Sequence, residues 1–156
     1  MYQTLKLVHL LGIVLLLGNV TITAFWKVFA DRNGDAGIVR FAQRMVTITD
    51  WVFTLGGIVL ISVGGYGMLW LTSTHPFGAD WLIVGQALFA LSGIMWLVIL
   101  VPVQMRQGRD ALAFEHGAAL PPAYRRDART WILWGVIATL PLLAAVCVMI
   151  LKPEMF

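Results

Sequence analysis

Charge is what this chain has least of. Asp, Glu, Lys and Arg together make up 12% of its 156 residues, whereas the hydrophobic set reaches 60%. Soluble domains carry roughly 25% charged residues, so an ordinary soluble enzyme and a disordered chain are both excluded. A mean hydropathy of +0.84 agrees. Cysteine is scarcer still. Cys147 stands alone, which excludes an intrachain disulfide, and its place inside an apolar run leaves the redox compartment open. Also missing are a Gly-rich phosphate loop, a Cys-x-x-Cys pair and a nucleophile elbow. The common soluble catalytic motifs are therefore absent.

The missing charge is missing in blocks. Residues 7–26, 51–79, 81–105 and 130–151 contain no Asp, Glu, Lys or Arg. Each block reaches the ~20 apolar residues that a helix needs to cross a bilayer. The pattern predicts an all-α integral membrane four-helix bundle, one transmembrane domain over residues 1–156. Its spans run over about 5–28, 47–71, 80–104 and 130–151, joined by long connections at about 29–46 and 105–129. The first block is longer than a signal-peptide core, lacks an Ala-x-Ala cleavage pattern, and ends in Phe25-Trp26-Lys27, which reads as an interfacial anchor. An uncleaved first helix is expected.

The few charges set an orientation. Lys27, Arg32, Arg40 and Arg44 follow span one, and Arg106, Arg109, Arg125, Arg126 and Arg129 follow span three. The turn from Thr72 to Asp80 has no basic residue, and Lys6 and Lys152 are the only others. This asymmetry places both long connections in the cytoplasm and both termini outside, N-out and C-out. The net charge of +3 belongs to these flanks, beside anionic lipid, and does not indicate nucleic acid.

Helices in a bilayer associate through small residues and scattered polar groups. Stripes of such residues therefore mark the interior. Span one offers His9, Gly12, Leu16, Asn19 and Thr23. Span two offers Thr47, Asp50, Thr54, Gly57, Ile61, Gly64 and Met68. Span three has two candidate stripes, Gln86/Phe89/Gly93/Trp96 or Gly85/Phe89/Ser92/Trp96. Span four offers Trp131, Gly135, Ala138, Leu142, Ala145 and Met149. Spacing near 3.5 fits left-handed antiparallel packing. Pro141 is expected to kink span four at the carbonyl of Ile137. Trp26, Trp51, Trp70, Trp81 and Trp131 fall near span ends, as an aromatic belt requires.

His9 is the residue that points to chemistry. An ionisable side chain inside a span is costly unless it is used or paired. Met68, Met149 and Gln86 lie on inward stripes at nearly its depth, and His75 sits in the turn above them. A histidine with thioethers is a ligand set for copper or for haem iron; methionine as plain core filler is the alternative. Asp50 reads as a cap and first-turn acid of span two, paired with Arg44. Asn19 reads as mid-membrane interhelical glue, with a quinone contact as the other option. His116, beside Glu115, reads as solvent-facing.

Lys6-x-x-His9-x-x-Gly12, then Leu17-Gly18-Asn19, Phe41-Ala42-Gln43-Arg44, Thr49-Asp50-Trp51 and the ending Met149-Ile150-Leu151-Lys152-Pro153 resemble a family of small bacterial integral membrane proteins with a domain of unknown function. The likeness runs through all four spans. More distantly, the Lys-x-x-His start and the Lys-Pro end are similar to HemJ-type protoporphyrinogen oxidases and CopD-type copper-resistance membrane proteins. That resemblance implies haem b, or copper, at His9. This chain has no second histidine inside spans two to four. Haem would then rest on His9 with a methionine, on five-coordinate iron, or on His75 folded inward. Two functions follow as expectations: a redox-associated protein with a cofactor at His9 and a quinone as partner, or a cofactor-free accessory subunit or homo-oligomeric scaffold.

Overall fold

A computed structural model describes residues 1–114 and 120–153. Four long helices account for most of them: α1 (Tyr2–Asn33), α2 (Ala36–Leu71), α3 (Asp80–Leu112) and α4 (Pro122–Leu151). All four are long and apolar enough to cross a membrane, and no strand occurs among the described residues. The architecture is an all-α, antiparallel four-helix membrane bundle.

The helices are longer than the uncharged blocks because the flanking sequence continues them. Asp35 caps α2 by accepting a hydrogen bond from the Ile38 amide at 2.9 Å, as a short acid does at a helix start. Gly34, with φ at 77°, ends α1 in the left-handed conformation that glycine adopts without strain. The expected connection 29–46 thus shrinks to a tight turn, and the amphipathic stretch around Ile38–Arg44 becomes the first turns of α2. Pro121 and Pro122 open α4, with proline in the first turn where a missing N–H costs nothing. Two helices carry a π-helical turn midway: Asp50–Thr54 in α2 and Trp96–Leu100 in α3.

The bundle has two ends. The terminal end holds Met1, Pro153 and the 72–79 turn; the loop end holds the α1–α2 and α3–α4 connections. In the terminal half the helices pack two by two. Residues 55–71 of α2 run along α1, and residues 80–95 of α3 run along α4. No close backbone approach joins the 55–71 and 80–95 segments; a hydrogen bond from the Tyr66 hydroxyl to Gln86 Oε1, 2.8 Å, bridges them. In the loop half, α1, α2, α3 and α4 converge on buried clusters around Val39, Ala111 and Tyr124, and around Val46, Val103 and Trp131.

Most proposed inward stripes are the packed ones. Gly12, Leu16, Asn19 and Thr23 are buried on α1, and Asp50, Thr54, Gly57 and Gly64 on α2. On α3 the second candidate stripe holds, with Gly85 and Ser92 buried. The Ser92 hydroxyl donates to the Ala138 carbonyl at 2.7 Å. That bond lies one residue beyond Ile137, whose carbonyl Pro141 cannot serve. The tryptophan belt is incomplete. Trp51 and Trp70 are exposed, whereas Trp131 is buried and its indole donates to Gln104 Oε1 at 3.3 Å.

Candidate functional site

His9 is positioned by glycine. A Cβ on Gly64 would stand 2.6 Å from the His9 backbone nitrogen, and one on Gly12 would stand 2.8 Å from the Gly57 carbonyl oxygen. Only side chains this small let α1 and α2 meet backbone to backbone. The closeness brings the half-buried imidazole of His9 to the Ile61 carbonyl, with Nδ1 at 2.8 Å from the oxygen. A carbonyl only accepts, so Nδ1 carries a proton, and in the neutral ring the lone pair is then on Nε2. Among the described residues Nε2 has no hydrogen-bond partner.

Gln86, Met149 and His75, grouped with His9 in the sequence, have other neighbours. Met68 is half-buried on α2. Met149 lies over Gly85, between α3 and α4. The Gln86 side-chain amide donates to the Pro76 and Leu82 carbonyls at 2.8 and 2.9 Å, and its oxygen accepts from Tyr66. His75 is exposed in the turn, where its Nδ1 accepts from the Phe77 amide at 3.2 Å. Among the described residues no group of three or more His, Cys, Asp or Glu could hold a metal ion. His116 and Glu115 lie outside the described residues.

Asp50 is not a cap. It lies fourteen residues inside α2, in the first π-helical turn, and is buried. The helix starts at Ala36 because Asp35 takes the capping position and the amphipathic sequence carries on without a break. Arg44 is exposed; the partners of Asp50 are Asn19 and Thr54. The Asn19 side-chain amide donates to Asp50 Oδ1 at 2.8 Å and to Thr54 Oγ1 at 3.0 Å, and Thr54 donates to the same Oδ1 at 3.2 Å. The Gln104 and Trp96 side chains face this carboxylate from α3. Both residues read as structural polar positions thus meet each other across α1 and α2.

Nearer the loop end is a group that the sequence reading passed over. Lys27 is 1% exposed, so it is not an interfacial anchor. Its ammonium donates to Asp31 and to the Tyr124 hydroxyl, both at 2.9 Å, and Tyr124 donates to the other Asp31 oxygen at 2.7 Å. The Tyr124 and Trp131 rings flank the same ammonium at 5.1 and 5.9 Å, a cation–π arrangement. Burial above all, and then the Asp31 carboxylate, hold the Tyr124 hydroxyl well above the usual tyrosine range and keep it protonated. In the same half Gln43 and Gln107 are fully buried; Gln43 Oε1 and both polar atoms of Gln107 have no hydrogen-bond partner among the described residues. Arg40 donates to the carbonyls of Ala111, Leu112 and Phe114 and so closes the end of α3.

The position of Lys27 was readable. It continues the stripe Gly12, Leu16, Asn19, Thr23 by one further turn, four residues before an acid. Gln104, Gln107 and Ala111 continue the α3 stripe in the same way.

A family model described as "Predicted integral membrane protein (DUF2269)" matches residues 3–153, and the chain belongs to that family. No curated protein and no solved structure matches it.

Proposed function

We propose that this member of the predicted integral membrane protein family holds a redox cofactor at His9, with haem b favoured over copper, and exchanges electrons with a quinone in a bacterial inner membrane. The observation that carries the reading is the His9–Ile61 hydrogen bond. A histidine that ligates a metal characteristically donates its other ring N–H to a backbone carbonyl or carboxylate, which fixes the tautomer and raises the basicity of the ligating nitrogen. His9 shows that arrangement with Nε2 left over. His9 would hold the group through Nε2; Gln86 and Met149 are engaged elsewhere, so Met68 would be the remaining methionine or amide donor of the set read from the sequence. Haem supplies one-electron chemistry when bound; the chain supplies the nitrogen, its proton arrangement and the surrounding hydrocarbon. The positive-inside distribution supports a cytoplasmic loop end and outside termini.

Protein purified in mild detergent, from cells supplied with haem and copper, is expected to show a Soret band or bound copper. His9→Ala is expected to lose it. A colourless, copper-free wild-type preparation would overturn the reading. The same bond supports a second one, in which His9 is only a clasp between α1 and α2 in a cofactor-free accessory subunit or homo-oligomeric scaffold. Interhelical bonds in membranes average ~0.6 kcal/mol, so His9→Ala would then lower stability slightly and change nothing spectroscopic.

A further inference from the structure

We propose that Asp50 is a reversible proton-binding site that exchanges with water by way of the buried polar side chains of the loop half. A carboxylate inside a span is costly unless its charge is balanced. Around Asp50 the donors are Asn19 and Thr54 by direct hydrogen bonds; Gln104 and Trp96 lie near, the Trp96 indole N–H without a hydrogen-bond partner among the described residues. All four are neutral.

Charged and titratable groups on the surrounding elements are turned elsewhere. On α1, Lys27 is held by Asp31 and Tyr124. On α2, Arg44 is exposed and Arg40 is bonded to carbonyls at the end of α3. On α3, Arg106 pairs with Asp127 at the surface, 2.9 Å away. On α4, Tyr124 belongs to the Lys27 group. N–H and O–H donors steady a negative charge without neutralising it, and a ring of donors offers few oxygens to a metal cation. A proton fits. It comes from water, adds to the carboxylate to give the neutral acid, and returns to water in the reverse step; no electron moves. Both hydrogen bonds end on Oδ1, which leaves Oδ2 to take it.

The route is a separate observation. Gln107 is 0% and Gln43 1% exposed, yet three of their polar atoms have no partner among the described residues. Buried polar atoms of this kind are met by ordered water. Gln43 donates to the Gln104 carbonyl at 3.1 Å, and the Gln104 side chain reaches toward Asp50. Trp131 donates to Gln104 Oε1 at 3.3 Å and its ring flanks the Lys27 ammonium at 5.9 Å, so buried polar groups continue from the carboxylate toward the loop end, with Gln43 and Gln107 buried on α2 and α3 of the same half. Toward the terminal end, Leu16 and the backbone contact of Gly12 with Gly57 close the seam between α1 and α2. Two π-helical turns frame the site, a feature concentrated at functional positions.

The test is infrared difference spectroscopy of the full chain in liposomes, between acidic and alkaline buffer and after transfer to D2O. A carbonyl band of a buried carboxylic acid is expected to appear and vanish with pH, to be absent in Asp50→Asn, and to shift in frequency in Asp50→Glu if the first variant fails to fold. Gln107→Leu is expected to keep the band while slowing its deuterium shift roughly tenfold, because hydrocarbon replaces the water that carries the exchange. A band missing at every pH, retained in Asp50→Asn, or exchanging at wild-type speed in Gln107→Leu would overturn the proposal.

Discussion

The two halves of this bundle hold their helices together by different means. In the terminal half, glycine removes side chains so that α1 and α2 touch through their backbones, and the α1/α2 and α3/α4 pairs stay apart along residues 55–71 and 80–95. In the loop half, all four helices converge on polar side chains that reach across: Lys27 to Tyr124, Gln43 to the Gln104 carbonyl, Trp131 to Gln104. Lipid tails are as apolar as leucine, so hydrophobicity does not draw helices together inside a bilayer. Close packing and hydrogen bonding remain, and each half uses mainly one of them. The division also separates the chemistry. His9 sits in the glycine-packed half, bonded to the Ile61 carbonyl, while the buried acid, ammonium and amides sit in the polar half.

Substitutions can break this contrast one half at a time. The largest effect is expected at Lys27, because removing one partner of a buried pair leaves the other charge unanswered. Lys27→Met should lower unfolding stability by about 3–5 kcal/mol, read by denaturation in detergent. An unchanged midpoint would mean that packing alone holds the loop half. Next is Gly12→Leu, whose side chain would meet the α2 backbone. Overpacking of this kind costs about 1–3 kcal/mol, and the loss should be accompanied by separation of α1 from α2 near Gly57 without release of Tyr124.

Alkaline pH comes third. Tyr124 is protonated in the fold far above the range where an unfolded tyrosine ionises. The unfolded state therefore loses its proton first, and stability falls as pH rises beyond the free tyrosine pKa of about 10. The decline is about 1.4 kcal/mol per pH unit, and Tyr124→Phe should remove that part of it. The smallest effect is expected at Arg106, whose partner Asp127 lies in an exposed pair. Arg106→Ala should leave stability within measurement error, as surface ion pairs generally do.

How far the sequence reaches follows the same division. Uncharged blocks located the spans, and small-residue stripes located the α1–α2 contact, because both depend on short-range periodicity. Asp50 was misplaced since an acid at the start of an uncharged block looks like a helix cap. The true cap, Asp35, lies fifteen residues earlier, where arginines on one face of α2 obscure a continuing helix. Lys27 was misread because basic residues beside tryptophan usually anchor at an interface, although its stripe position pointed inward. No local rule shows that Tyr124, 97 residues away, would meet it. The partnering of Asn19 with Asp50 is likewise a product of how two stripes register, which neither stripe contains alone.

The division into a converged half and a paired half is most directly tested by distances between spin labels, with the exposed Cys147 replaced by serine. One pair of labels belongs on Val63 and Ile94, exposed on α2 and α3 in the terminal half and near the middle; the other belongs on Phe41 and Met105 at the loop end. A narrow distribution is expected for Phe41–Met105 and a distinctly broader one for Val63–Ile94. Two equally narrow distributions would contradict the account, since they would describe one rigid bundle from end to end.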